Sequence, residues 1–298
     1  MDSLLNSSAG LAFIIPIQVW SYLVFGLVLA IGLVAIFVRG DWQKAGGLDK
    51  LLLFGALFYA APLAGFGTEH FTISKIIASM IPTWMPWHVF WAYFIGACFI
   101  AAALSIVTRI QARVAATLVA LTFFLFVVLM DIPGWLQDIR NRFSLALALR
   151  ELSFSAGALA FASSVGSQSP AARVFARVAR YFIAIAVLVY SFEQFRHGNY
   201  VPAIPLDRLT PNYAWGHAIW TYVAAVVFAV AGILLLLGKK TRAAATWIAL
   251  AVLLAEVFVF VPIAVVDRGS LVGFNYMADT LMFGGAILLL AGAMPREP

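Results

Sequence analysis

Two sets of polar and aromatic residues in this chain have types and spacings that could do chemistry. In each set a glutamate ends one apolar run and a His-x-x-Trp-x-Tyr string opens the next, so the histidine and the tryptophan share a helix face. Such a set can hydrogen-bond a quinone headgroup, relay a proton or bind a metal through neutral imidazole. The candidate ligand-binding residues are Glu69, His70, His88, Trp91, Glu193, His217 and Trp220.

The same residues also fit a purely structural role, which stays open. Tryptophan and tyrosine are enriched where a helix meets the membrane interface. Haem is not expected, because haem held between helices needs imidazoles deeper in a bundle. The single cysteine, Cys98, excludes an intrachain disulfide and a thiolate metal cluster. No metal site and no particular catalytic residue are therefore predicted, and whether the protein is an enzyme is left open.

Three carboxylates lie inside apolar runs, at Asp131, Glu256 and Asp279. A charge at membrane depth is costly, so these side chains are expected to face the interior of a helix bundle. Glu256 is the deepest of them. A proton path and a paired structural role are both open for these acids.

The elements that must position these residues are transmembrane helices. Apolar residues make up 64% of the chain and charged residues 11%, with a mean hydropathy of +0.99, which excludes a soluble domain of this length. The net charge is +6, and the basic residues lie in the breaks between apolar runs, so nucleic-acid binding is not predicted.

The chain is predicted to be an all-α polytopic bundle of about nine helices. Their approximate bounds are 12–38, 50–68, 87–108, 113–132, 144–164, 177–195, 216–237, 243–265 and 274–293. The longest non-helical segments are expected at 69–86, 133–143 and 196–215, with a linker at 163–173.

The chain repeats itself at an offset of 129 residues, which aligns 82–162 with 211–291 without gaps. A shorter offset aligns the Glu-His-Phe string at 69–71 with the Glu-Gln-Phe string at 193–195. Asp279 then falls where the first copy has Arg150, so these opposite charges are expected to pair if their helices meet. Two parallel units predict a pseudo-twofold axis along the membrane normal. The predicted division is an extra N-terminal helix at 1–45, a first four-helix unit at 46–165 and a second at 174–298.

Basic residues set the predicted orientation. Alternate breaks hold twelve Lys and Arg residues on one side and seven on the other, with Arg150 counted among the seven. The richer side is expected to be cytoplasmic, which places the N-terminus outside and the C-terminus inside. The expected location is the inner membrane of a bacterium.

Gly284 and Gly285 are expected to mark a close approach between helices.

Residues 52–130 resemble the DoxX/DoxD-like superfamily of four-helix membrane proteins. The residues that carry the resemblance are the small-rich first helix ending at Glu69-His70-Phe71, the loop at 82–86, the aromatic-rich helix from His88 and the basic turn with Arg113. Residues 181–293 repeat the pattern. The resemblance implies a link to membrane oxidoreductases, with a quinone as a candidate cofactor and a soluble or membrane redox partner beside the lipid bilayer.

The leading functional prediction is a quinone-interacting or accessory subunit of a membrane oxidoreductase. One alternative is a transporter or a binder of lipophilic ligands, with Glu256, Asp131 and Asp279 along its path. Transporters commonly have Gly or Pro breaks at the membrane midplane, whereas the prolines here are expected at span ends, apart from Pro16. A second alternative is an assembly factor without chemistry, whose aromatic outer loops form the contact surface.

Overall fold

The computed structural model describes residues 16–166, 169–202, 208–214, 216 and 218–296. The chain is 81% helical and has no strand in these residues, which confirms the predicted all-α class. Nine helices of the described part are long and apolar enough to span a membrane. Their bounds are α1 Ile17–Val38, α2 Asp49–Thr72, α3 His88–Thr108, α4 Ala112–Gln137, α5 Arg142–Ser164, α6 Pro170–Arg196, α7 Ala218–Leu237, α8 Thr241–Val266 and α9 Leu271–Ala293.

Helices α4 and α8 each contain one π-helical turn, at Val127–Asp131 and at Glu256–Phe260. Each turn is followed within two residues by a proline, Pro133 or Pro262. Proline has no N–H and its ring clashes with the carbonyl four residues back, so the regular α-helical ladder cannot continue there. The wider turn absorbs this break and the helix goes on to the end of the span.

Three segments expected to be non-helical are shorter than predicted. Helix α4 continues to Gln137, and residues 69–86 include the end of α2 and a short helix, Ser74–Met80. Helix α6 begins at Pro170, inside the predicted linker, because the Ser169 hydroxyl accepts a hydrogen bond from the Ala172 N–H (3.2 Å). Serine before proline is a helix-start signal that the linker composition obscured.

The expected placement of the prolines, at span ends apart from Pro16 inside the first helix, is wrong for two residues. Pro62 lies in the middle of α2, and Pro16 precedes α1 as its N-cap instead of interrupting it. A proline inside a helix removes the hydrogen bond to the carbonyl four residues back, here that of Phe58. Proline placement therefore does not count against a transporter.

Helices α5 and α9 lie side by side at the centre of the bundle. Helix α2 packs against α3 and α9, whereas α6 packs against α5 and α7. The first helix of each predicted unit thus packs against the last helix of the other unit. Helix α1 lies outside this arrangement, on α2 and α3.

The helix bounds repeat at the offsets read from the sequence. Every segment of α4 and of α5 begins and ends 129 residues before its counterpart in α8 or α9. Helices α2 and α6 end 124 residues apart, and in both the first N–H beyond the helix donates to the carbonyl of the glutamate four residues back. The contact of Gly67 with Gly96 has its counterpart in the hydrogen bond from Ser191 Oγ to the Ala225 carbonyl (2.7 Å). The division into two units remains a prediction that these correspondences support.

The end of the bundle where α2, α4, α6 and α8 finish is called here the loop-rich end, and the opposite end is the short-turn end. The segment after α6 folds back over the loop-rich end of α8. Val201 is fully buried against α8 and its N–H donates to the Arg208 carbonyl (2.9 Å). Arg208 Nη2 donates to Asp267 (2.8 Å), and the guanidinium stacks over the Tyr276 ring at 4.5 Å.

Replacing Arg208 with alanine should loosen this segment without unfolding the helices. The ion pair is partly exposed, so its loss is expected to cost about 1 kcal/mol or less. Limited proteolysis in detergent should cut the segment after α6 several-fold faster than in the unmodified chain. Arg140→Ala, at an exposed site on the same end, serves as the control and should leave the cleavage rate unchanged. Equal rates in both variants would contradict this role of Arg208.

Candidate functional site

Six polar side chains meet inside the bundle, towards the loop-rich end. They come from α2, α4, α5 and α9, and together they form what is called here the buried polar cluster: Glu69, Asp131, Arg150, Glu151, Asn275 and Asp279. Arg150 and Asp279 each lie eight residues into their helices, which places them about 12 Å from the helix ends. The cluster therefore lies within the predicted hydrocarbon depth.

Arg150 is the centre of this cluster. Its Nη1 donates to Asp279 Oδ2 at 2.9 Å, and its Nη2 donates to Glu151 Oε1 at 3.2 Å. The ion pair between Arg150 and Asp279 was predicted from their equivalent positions in the repeat, and the structure confirms it. The two helices that carry the pair are parallel neighbours at the centre of the bundle, so equivalent positions fall at the same depth.

A second pair of acids extends the cluster into α4. The carboxyl of Asp131, at the end of the π-helical turn, lies beside that of Glu151. Asp131 Oδ2 and Glu151 Oε2 are buried and find no hydrogen-bond donor among the described residues. Two adjacent carboxyl oxygens can hydrogen-bond to each other only when one of them carries a proton.

The other side of the cluster belongs to α2. The Asn275 amide, oriented so that its nitrogen faces the acid, donates to Glu69 Oε1 at 2.7 Å and to Oε2 at 3.3 Å. Glu69 is buried, and the negative charge of Asp279 acts on it from one turn along α9. The cluster thus draws its side chains from α2, α9, α5 and α4.

This composition has a direct electrostatic consequence. Four carboxylates surround one guanidinium, so full ionisation would leave a net charge of −3 inside the bundle. Uncompensated charge is costly at this depth, and neighbouring carboxyls titrate as a set instead of singly. Among the described residues, no group of three or more His, Cys, Asp or Glu side chains has an arrangement that could hold a metal ion. The chemistry that this cluster can perform is the uptake and release of protons.

Aromatic rings fill the bundle on the short-turn side of the cluster. Phe154 follows Arg150 by one helical turn and contacts Phe123 (ring centroids 5.4 Å apart) and Phe66 (6.5 Å). Phe123 stacks on Phe99 at 5.2 Å. These rings separate the acids from the short-turn end, so the shortest way for a proton to reach the cluster is from the loop-rich end.

The first predicted set of site residues is divided by the structure. His70 packs under Gly96 and against the Phe99 ring (5.5 Å), and its Nδ1 donates to the Phe66 carbonyl (2.9 Å). His88 lies two turns before Gly96 on α3, where its Nε2 donates to the Pro82 carbonyl (3.2 Å). Of this set only Glu69 belongs to the buried polar cluster.

The outer histidine and tryptophan of α3 have separate surroundings. His88 lines a surface cleft of about 600 Å³ together with Trp87 and Phe90. The Trp91 Nε1–H is buried and finds no acceptor among the described residues. His88 and Trp91 therefore do not line a shared cavity with Glu69 and His70 in the described part of the chain.

The second predicted set is also spread out. Glu193 accepts from Arg142 Nε at 3.0 Å, and His197 Nδ1 lies 3.3 Å from its Oε2, so this acid is held in an ion pair at the end of α5. Trp220 stacks on Phe258 with ring centroids 5.1 Å apart. His217 lies outside the described residues. Gln194, where the first copy has His70, is buried with both amide atoms unpaired among the described residues.

Glu256 is buried in α8, outside the buried polar cluster. It opens the π-helical turn of α8, and its Oε2 finds no donor among the described residues. Of the three predicted intramembrane acids, Asp131 and Asp279 therefore join the cluster and Glu256 does not.

Sequence reasoning missed Glu151 and Asn275 as parts of the site, and it misplaced Arg150. Counting Arg150 with the loop residues is wrong, because it lies two turns inside α5. The signal that could have found this group was an adjacent Arg-Glu pair within a predicted span, where each charge requires a partner.

The nine helices and the buried polar cluster define a multi-pass α-helical membrane protein that contacts the lipid bilayer. Comparisons with family models, curated proteins and solved structures find no match to this chain.

Proposed function

We propose that this protein takes up and releases protons at the buried polar cluster and exchanges them with a quinone-type ligand at the loop-rich end. The observation that carries the proposal is the set of four carboxylates around Arg150 within the spans. Because these acids cannot all be ionised at that depth, the cluster is a store of exchangeable protons.

The side from which the cluster can be reached supports a quinone at the loop-rich end as the ligand, because aromatic rings fill the bundle on the short-turn side. At about 12 Å from the helix ends, Arg150 and Asp279 lie inside a hydrocarbon core about 30 Å thick, nearer to its midplane than to its face. A quinone that receives two electrons takes two protons near a membrane face. The electrons would come from a redox partner, which is the accessory role that the DoxX/DoxD-like resemblance implies. The family, the quinone and the partner all remain predictions, as do the bacterial inner membrane and the orientation of the termini.

A proton-coupled transporter is the second candidate, and two observations favour it. The π-helical turns of α4 and α8 and the proline inside α2 are interruptions within spans, which transporters use at their binding sites. Asp131 sits at the end of one such turn.

Infrared difference spectra recorded between acidic and alkaline pH test the proton store. The carbonyl-stretch band of protonated carboxylic acids should change reversibly with pH, and Glu151→Gln together with Asp131→Asn should remove about half of that change. Asp138→Asn, at an exposed residue of the same end, is the control and should leave the band as it was. An unchanged band in the double variant would end the proposal.

Two further measurements separate the ligand from the proton store. A short-chain quinone added to the protein in nanodiscs should shift the same carboxylic-acid band in the unmodified chain and not in the double variant. If no quinone shifts the band, the quinone part fails and the proton store stands. Acidification of proteoliposomes driven by a solute gradient would then favour the transporter.

A further inference from the structure

Helix α1 covers a groove between α2 and α3 in the first half of the bundle. A Cβ added at Gly32 of α1 would collide with Leu57 and would stand 3.2 Å from Val107 Cγ1, so the helices are in close contact there. Under α1, Leu57 is 2% exposed and Val107 is 3% exposed, while Ala61, one turn further along α2, is fully buried.

The corresponding groove in the second half, between α6 and α7, is not covered by any helix of the described residues. At the offsets of 124 and 129 residues, Leu57 corresponds to Tyr181, Ala61 to Ile185 and Val107 to Leu236. Tyr181 and Leu236 are each 39% exposed, and Ile185 is 47% exposed. The same positions that one half buries under a helix are open in the other half.

The short-turn end of this open groove is basic, and the described residues place no acid there. Five cationic side chains lie there, on the first turns of α6 and on the turn between α7 and α8: Arg173, Arg177, Arg180, Lys239 and Lys240. The guanidinium of Arg180 lies against Gly238 of that turn, which joins the two groups. None of the five has a carboxylate partner among the described residues.

We propose that the groove between α6 and α7 receives a transmembrane helix of a partner protein. By analogy with α1, that helix has a small residue where it crosses Leu236 and Tyr181. It also carries acidic residues just beyond the short-turn end, where they neutralise the basic side chains. This inference rests on the repeat and on charge, and it is independent of the proposed function.

A second copy of this chain fits the groove poorly. At the short-turn end the described residues offer two carboxylates, and both are already paired: Asp41 with Arg39, and Asp49 with Arg242 and Arg296. A second copy would therefore bring like charge to the basic residues. Its own α1 is also engaged on its own first half.

Photo-crosslinking in native membranes tests this interface. A benzophenone side chain placed at Ile185, or separately at Leu236, should give one discrete adduct with another membrane protein. The crosslinked residue on that protein should map to an apolar span that has an acidic residue at its short-turn end. Leu118, which is exposed on α4, is the control position and should give no such adduct.

Charge reversal provides the second arm of the test. Arg177→Glu should lower the adduct yield at least threefold, whereas Arg140→Glu, at the opposite end, should leave it unchanged. Adducts with lipid alone, an adduct at twice the mass of this chain, or a yield insensitive to Arg177→Glu would each overturn the proposal.

Discussion

Replacement of Arg150 by methionine is expected to lower the free energy of unfolding by about 3 kcal/mol. Arg150 is the one cation among the four acids of the buried polar cluster, and both of its ion pairs are lost together. Removing one partner of a buried pair leaves uncompensated charge, which costs more than the pair itself contributes. Reversible denaturation in detergent micelles would measure the change.

The same substitution should alter proton binding. Without the guanidinium, Asp279 and Glu151 lose the charge that favours their ionised forms, and so the cluster holds more protons at a given pH. The infrared band of protonated carboxylic acids should be larger at neutral pH in this variant than in the unmodified chain. Arg140→Met is the matched control, because this arginine is exposed at the same end, and it should change stability by no more than about 0.5 kcal/mol. Equal effects of the two variants would show that Arg150 does not hold the cluster together.

A double variant that exchanges the charges of Arg150 and Asp279 separates the structural role of this ion pair from its role in proton binding. Because Arg150 and Asp279 occupy equivalent positions on parallel helices, Arg150→Asp combined with Asp279→Arg should restore the ion pair and part of the lost stability. The exchange moves the guanidinium towards Glu69 and away from Glu151 and Asp131. Stability should therefore recover more than the proton response does, which distinguishes a structural role of the pair from its role in proton binding.

Helix number and class could be predicted from the sequence because bilayer thickness sets a single length scale for apolar runs. The ion pair between Arg150 and Asp279 could also be predicted, because residues at equivalent positions of an internal repeat lie at the same depth when their helices are parallel neighbours. Boundaries were less accurate wherever local chemistry overrode hydropathy. The Ser169 cap lengthened α6, and the π-helical turn before Pro133 carried α4 past its predicted end.

The candidate site was only partly predictable, because it depends on which helices are neighbours. Glu69 was expected beside His88, which opens the next predicted span, but it faces Asn275 on the last helix. Nothing local to residue 69 specifies that α2 packs against α9. The His-x-x-Trp strings were persuasive as motifs, yet His88 and Trp91 lie in the first turn of α3, at the level where aromatic belts also occur.

The close approach of α9 to the backbone of α2 at Gly285 gives the second large expected effect. A Cβ at Gly285 would stand 2.6 Å from the backbone nitrogen of Tyr59 and 2.7 Å from the carbonyl carbon of Phe58. Both are backbone atoms of α2, close to the position where Pro62 leaves the Phe58 carbonyl without its helical donor. The contact cannot be relieved by rotating a side chain, so the two helices would have to separate.

Gly285→Ala is therefore expected to destabilise the protein by about 2–3 kcal/mol, even though alanine is the better helix former. Two neighbours on α9 provide a graded control. At Gly284 the new Cβ would meet two side chains that can move, that of Leu253 at 3.0 Å and that of Val252 at 3.4 Å, whereas at Gly292 it would meet nothing within 4 Å. Gly284→Ala should cost about 1 kcal/mol or less, and Gly292→Ala should be neutral or slightly stabilising.

Because Glu69 reaches Asn275 and Asp279 only through this helix contact, Gly285→Ala should also reduce the pH-dependent infrared band, while Gly292→Ala should not. If all three variants had the same stability, the close contact between α2 and α9 would be wrong, and the buried polar cluster would lose its link to α2.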